Sequence, residues 1–211
     1  MNESVHIKAS GLKKVFNGRT IFSDISFLLT PGQTLLVTGR NGSGKSTLVK
    51  ILCGLLTPTA GSVDRGGGPR RSEAALLAEI GLVAPYLQMY DEFSAVENMR
   101  SALAMRGLKP AAYDIDVVLQ RVGLYARRAD DVRTYSSGMK QRMKFAFALI
   151  HSPSILFLDE PMANLDSEGM EMVRGVMREQ RSKGMLVVAT NEVNDVDTFD
   201  QKVNLDDAAR R

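Results

Sequence analysis

The sequence predicts an α/β fold: a mostly parallel sheet covered on both faces by helices, preceded by an antiparallel sheet and interrupted by a helical insert. Three observations carry this. Buried-strand runs TLLVTG, IGLVA, ILFLD and MLVVAT alternate with segments of helical spacing, the mark of a parallel sheet. The first thirty positions instead alternate apolar and polar residues in VHIKAS and ISFLLT, as half-exposed antiparallel strands do. From Ser94 to about Val122 the pattern is helical with no strand signal.

In chain order, TLLVTG is followed by a glycine-rich loop and then by KSTLVKILCGLL, whose Leu48, Ile51, Leu52 and Leu55 share a helix face. TPTAGSVDRGGGPRRSE reads as a solvent-facing loop with one short strand around Val63. Gly107 and Pro110 break the helical insert into two pieces; by helical periodicity the apolar residues Phe93, Val96, Met99, Leu103 and Met105 of this region read as core, a docking surface being the competing reading. A helix follows from Ser137 to Ile150, then strand ILFLD, a helix over 169–182 and strand MLVVAT. The 211 residues, 44% hydrophobic and 24% charged, suit one domain with a full core. A net charge of +3 reads as a dispersed basic surface, and no nucleic-acid partner is expected. Cys53 is the only cysteine, so no internal disulfide forms, a reducing compartment is expected, and a buried thiol is the simplest reading. The start shows no signal pattern, and no apolar run approaches the roughly 18 residues that span a bilayer.

GRNGSGKS, from Gly39 through Arg40, Asn41, Gly42, Ser43, Gly44 and Lys45 to Ser46, matches G-x-x-x-x-G-K-[ST] between a buried strand and a helix. The unit is that of a P-loop NTPase core. Glycines let successive N–H groups face one concavity, and the positive end of the helix through Thr47 adds to it, so the loop can cradle phosphates. Lys45 supplies charge for β- and γ-phosphates, and Ser46 a hydroxyl for Mg²⁺. ILFLDE places Asp159 and Glu160 at the C-terminal end of a strand, where open α/β sheets bind ligands. There Asp159 suits Mg²⁺, and Glu160 suits orienting or activating the water that attacks a γ-phosphate.

YSSGMKQR begins its serine pair at Ser136, ninety residues after Ser46. The order of phosphate loop, YSSGMKQR and ILFLDEP resembles the nucleotide-binding subunits of ABC transporters over nearly the whole chain. The family's signature is usually LSGGQ; here Tyr135, Ser137 and Met139 depart from it, while Ser136 and Gly138 hold. Physically, Ser136, Ser137 and Gly138 open a helix and form a second anion site. The resemblance implies that this site caps ATP held by another subunit. It further implies that ANLD, Ala163 to Asp166, lies at the subunit interface and that Phe16 stacks on adenine, a core phenylalanine being the competing reading.

Two positions depart from the family. A glutamine that contacts Mg²⁺ and the membrane partner usually follows the strand IGLVA; ungapped counting places Pro85 there, with Gln88 three residues on. Either Gln88 takes the role or the role is missing. In VVATNEV, Asn191 stands where the family has a histidine that senses the γ-phosphate; an amide can donate a hydrogen bond but carries no charge.

The resemblance implies a single ABC-type ATPase domain over residues 1–211, with an N-terminal antiparallel β subdomain and a helical ABC subdomain over about 86–150. It implies an ATPase with ATP and Mg²⁺, in which two copies close head to tail around two ATP molecules and drive transport through separate transmembrane permease subunits. The chain is then cytoplasmic, held on the inner membrane face by those partners. The compact layout is similar to haem exporters of cytochrome c maturation and to small drug or lipid exporters. An ATP-gated dimerisation switch with little hydrolysis is the alternative, favoured by Pro85, Ser137 and Asn191 and opposed by intact Lys45, Asp159 and Glu160. A chromosome-type ABC ATPase needs coiled coils that the sequence lacks, and no N-K-x-D guanine motif occurs. His6 and His151 show no metal-ligand spacing.

Overall fold

In the computed structural model the described residues are 5–66, 75 and 78–208. They form two sheets. The first joins β1 (Ile7–Phe16), β2 (Arg19–Leu29) and β4 (Ala60–Asp64) in the antiparallel order β2-β1-β4. The predicted short strand around Val63 is β4, and Val63 pairs with Ala9. The remainder of the predicted loop, from residue 67 onward, lies outside the described residues.

The second sheet is parallel, in the order β5-β6-β7-β3-β8, with β3 (Thr34–Thr38), β5 (Ile80–Val83), β6 (Ile155–Asp159), β7 (Met185–Ala189) and β8 (Gln201–Asn204). In β3, β6 and β7 every residue is buried, as strands covered on both faces must be. Because side chains alternate along a strand, the sheet separates two cores. Leu35, Val37, Phe157 and Val187 pack with Leu12, Phe22, Leu48 and Leu52, joining the first sheet and helix α1 (Lys45–Leu52) to one face. Leu36, Leu156, Leu158 and Val188 pack on the other face with Met143, Phe145, Val173 and Met177. Each such side chain contributes about 1.5–3 kcal/mol on burial, so both faces anchor the strand ends that carry the chemistry.

Between the sheets' segments lie α2 (Ala95–Met105), α3 (Ile115–Arg121) and α4 (Ser137–Leu149), followed later by α5 (Ser167–Lys183) and α6 (Leu205–Ala208). Ser94 and Glu97 close a capping box at the start of α2, and Asp166 caps α5 by accepting from Gly169 N–H at 2.8 Å. The core reading of the insert holds for Met99 and Leu103, which are fully buried, and Val96 packs against the core. It fails for Phe93 and Met105, 41% and 64% exposed, which occupy the outward side of the insert. Cys53 is buried as expected, and burial pushes its thiol pKa up.

Candidate functional site

Three strand ends meet. The backbone N–H of Glu160 donates to Ala189 O at 2.8 Å, and that of Thr190 donates to Val37 O at 3.1 Å. Parallel register sets Asp159 beside Ala189, and β3 continues from Thr38 into Gly39. The ends of β3, β6 and β7 thus bring the phosphate loop, the acidic pair and the turn at Asn191 to one edge, the C-terminal edge where α/β sheets bind ligands.

Within the loop, Gly44 is the N-cap of α1 at φ 105°, in the left-handed region that favours glycine. A Cβ there would collide with Ile21 Cγ2. Gly44 therefore lets the loop pass against β2 while the first turn of α1 opens towards the loop. The buried Lys45 ammonium donates to Gly39 O at 2.8 Å and lies 3.3 Å from Glu160 Oε1. Arg40 and Asn41 point to solvent, and Ser46 and Thr47 are half-buried on α1.

Asp159 is fully buried, and neither carboxylate oxygen has a hydrogen-bond partner of good geometry among the described residues. Burial raises its pKa, with Glu160 adding to the shift, while the Ser46 hydroxyl beside it and Lys45 act the other way. A native protein seldom leaves two buried carboxylate oxygens unsatisfied, so the position suits a cation. Glu160 sits at φ 48°, a strained conformation for a residue with a side chain and one that recurs at functional sites.

Ser136, Ser137 and Gly138 lie elsewhere. Ser136 caps α4 by accepting from Met139 N–H at 3.2 Å, and both serines are exposed. With Arg142, Asn164 and Asp166 they border a cavity of about 340 Å³. A Cβ on Gly138 would come within 2.9 Å of Asn164 O, so glycine allows ANLD to pack on the start of α4. Gln141 ties α4 to the acidic strand end through Pro161 O at 3.1 Å, and Arg142 binds Asp166 at 2.8 Å. Ile21, Glu160 and Asp206 border the phosphate loop, and none of them borders the cavity at Ser136 to Gly138.

Phe16 ends β1 with its ring 44% exposed and the Lys14 ammonium 4.7 Å from the ring centroid. Pro85 and Gln88 are both exposed; the Pro85 carbonyl accepts from Lys144 at 3.2 Å. Asn191 is exposed just past β7, where Thr190 Oγ donates to Asp195 and accepts from Glu192 N–H.

Sequence reasoning missed two neighbours. Asp206 accepts from the Arg40 backbone N–H at 3.1 Å, bracing the loop from α6; the four-residue strand β8 that delivers it is too short and polar to signal itself. Tyr86 lies under the Lys50 ammonium, 3.9 Å from the ring centroid. Only the adjacency of Tyr86 to the anomalous Pro85 hinted at it.

Comparison with known proteins gives a consistent result. The family described as ABC transporter matches residues 22–163. The lantibiotic transport ATP-binding protein SrtF of Streptococcus pyogenes is 34% identical over 187 residues, 89% of this chain and 80% of that protein. The cytochrome c biogenesis ATP-binding export protein CcmA of Methylococcus capsulatus is 33% identical over 87% of this chain and 89% of its own length. Among solved structures, a putative ABC transporter ATP-binding protein from Pyrococcus furiosus superposes with a TM-score of 0.81 at 19% identity, covering 96% of this chain and 98% of that one.

Proposed function

Since the chain belongs to the ABC transporter family, we propose that it is the ATP-binding and ATP-hydrolysing subunit of a transporter whose permease subunits are separate chains. The observation that carries the reading is the meeting of Lys45, Asp159 and Glu160 at one sheet edge, with Lys45 Nζ 3.3 Å from Glu160 and both buried Asp159 oxygens lacking a hydrogen-bond partner of good geometry among the described residues.

In this reading the phosphate loop, Gly39 to Thr47, takes the phosphates of ATP with its N–H groups, and Lys45 pairs with their charge. The exposed Phe16 ring offers a stacking face for adenine. Glu160 accepts a hydrogen bond from the attacking water and orients it, and Asn191 donates its amide to a γ-phosphate oxygen. Mg²⁺ would be held by Ser46 and Asp159, the buried carboxylate of the latter fitting it because neither oxygen has a hydrogen-bond partner of good geometry among the described residues, and would neutralise charge on the β- and γ-phosphates. Gln88 or Tyr86, from the loop after β5, would complete the polar lining.

Exposure of Ser136 and Ser137, beside half-buried Gly138, supports a head-to-tail pair in which each copy caps the other's ATP. ATP then favours the closed pair and hydrolysis releases it, a differential affinity that can move membrane subunits. Among the described residues no helix is long and apolar enough to cross a membrane, so the motion passes to partner chains, with this subunit on the cytoplasmic face. The helical arm over about 86–150 is the proposed contact with them. The names of the relatives, one serving lantibiotic transport and one export in cytochrome c biogenesis, support an exporter.

A second reading, an ATP-gated switch with little hydrolysis, is favoured by the uncharged Asn191 and by Pro85. Steady-state ATP hydrolysis by the full chain, with Lys45→Ala as control, decides between them. Turnover that Lys45→Ala abolishes supports the transporter subunit; ATP binding with no turnover above that control supports the switch.

A further inference from the structure

β5 and β6 end in register, Val83 beside Leu158, so the loop leaving β5 starts level with Asp159. Of its first residues, Ala84 is apolar, Pro85 has no N–H to donate, and Gln88 is exposed to solvent. Tyr86 differs. Tyr86 is 37% exposed, yet its ring is held by the Lys50 ammonium at 3.9 Å from the centroid, a close cation–π contact. Lys50 lies four residues beyond Ser46 on α1, hence on the same helix face as the hydroxyl proposed for Mg²⁺.

We propose that Lys50 and Tyr86 form a positioning pair for ATP hydrolysis, Lys50 holding the ring against α1 so that the phenol O–H donates into the oxygens gathered around Asp159. The inference rests on the nucleotide reading above. It gives the loop after β5 a polar group next to the acidic edge despite Pro85, and it gives Lys50 a role distinct from that of Lys45. A tyrosine O–H with a pKa of about 10 is a hydrogen-bond donor at neutral pH. Lys50 in turn belongs to the positive field that favours the ionised Asp159.

Tyr86→Phe isolates the hydroxyl, since it retains the ring and the contact with Lys50. Losing one hydrogen bond at the reacting end lowers kcat about tenfold while the Kd for ATP stays within about twofold. Lys50→Met lowers kcat comparably, and Lys50→Arg restores most of it because a guanidinium also stacks on an aromatic face. The chain has five tyrosines and no tryptophan, so tyrosine emission is directly readable. Adding ATP with Mg²⁺ changes this emission in the wild-type chain, and the change shrinks in Tyr86→Phe. Unaltered kcat in Tyr86→Phe overturns the pair, as does a loss of turnover confined to Gln88→Ala. A wild-type chain that binds no ATP would instead overturn the nucleotide reading itself, so the two failures are distinguishable.

Discussion

The Lys45 ammonium lies 3.3 Å from the Glu160 carboxylate, joining the start of α1 to the end of β6 across the sheet edge. Lys45 is buried, and Glu160 is held at φ 48° by the turn after β6. A phosphate reaching Lys45 therefore arrives next to the Glu160 carboxylate. Glu160→Gln keeps size and hydrogen bonding but loses the charge. Turnover falls at least a hundredfold, as for loss of a general base, while ATP affinity is retained or rises. Single-turnover hydrolysis and equilibrium nucleotide binding, measured side by side, check both halves.

Asp159, by contrast, weakens the fold by its burial. Its pKa is raised in the folded chain, chiefly by burial. Its contribution to stability is fully present below the ordinary carboxylate value of 3.8 and is lost as pH rises through the raised value. At neutral pH the ionised, buried Asp159 is thus destabilising. Asp159→Asn raises the unfolding free energy by about 1 kcal/mol at pH 7.5, with no gain at pH 3.5, while abolishing Mg²⁺-dependent turnover. Urea unfolding at the two pH values is the test.

His151 predicts an acid limit. Burial, with Arg106 next, pushes its pKa from 6.5 down to about 4, although Ile80 O accepts from its ring at 3.1 Å. A depressed histidine contributes stability present above the unfolded value near 6.5 and lost as pH falls towards 4. Because the group is partly exposed, the loss over that window is roughly 1–2 kcal/mol. In His151→Gln the Tm falls less between pH 7 and pH 4.5 than it does in the wild-type chain.

Asn191 is exposed at the turn after β7, on the edge that carries Glu160. An amide contact to phosphate lacks the charge assistance of an imidazolium, which is worth on the order of 1 kcal/mol more per bond. Asn191→His raises kcat about five- to tenfold without changing the Kd for ATP. An unchanged rate would mean that Asn191 only ends the strand.

Much of this was legible in the sequence because its elements are local and strongly patterned. TLLVT, ILFLD and MLVVA could not be other than buried strands, and GRNGSGKS fixed a strand, turn and helix together. Asp159 and Glu160 followed from where a parallel strand must end. Less legible were features that depend on partners distant in sequence. β8 is four residues long and owes its place to pairing with β3, Leu35 beside Gln201. Asp206 reaches Arg40 only because β8 returns the chain to the phosphate loop. Phe93 and Met105 carry a core-like spacing yet face outward, since apolar periodicity reports what a helix could bury and not which side meets a neighbour. Lys50 and Tyr86 are thirty-six positions apart and meet only through the strand order of the sheet.

The central claim is that each ATP is held between the phosphate loop of one copy and Ser136 to Gly138 of another. Complementation in the Glu160→Gln background tests it most directly. One chain carries Lys45→Ala; a second carries Gly138→Ala, whose Cβ comes within 2.9 Å of Asn164 O and disturbs the signature. Each alone can form no complete site, whereas a mixed pair joins one intact phosphate loop to one intact signature. Sedimentation with ATP is predicted to show dimers in the mixture and monomers in either chain alone. Equal ATP-dependent dimerisation by each single variant, or none in the mixture while the Glu160→Gln parent dimerises, would contradict the account.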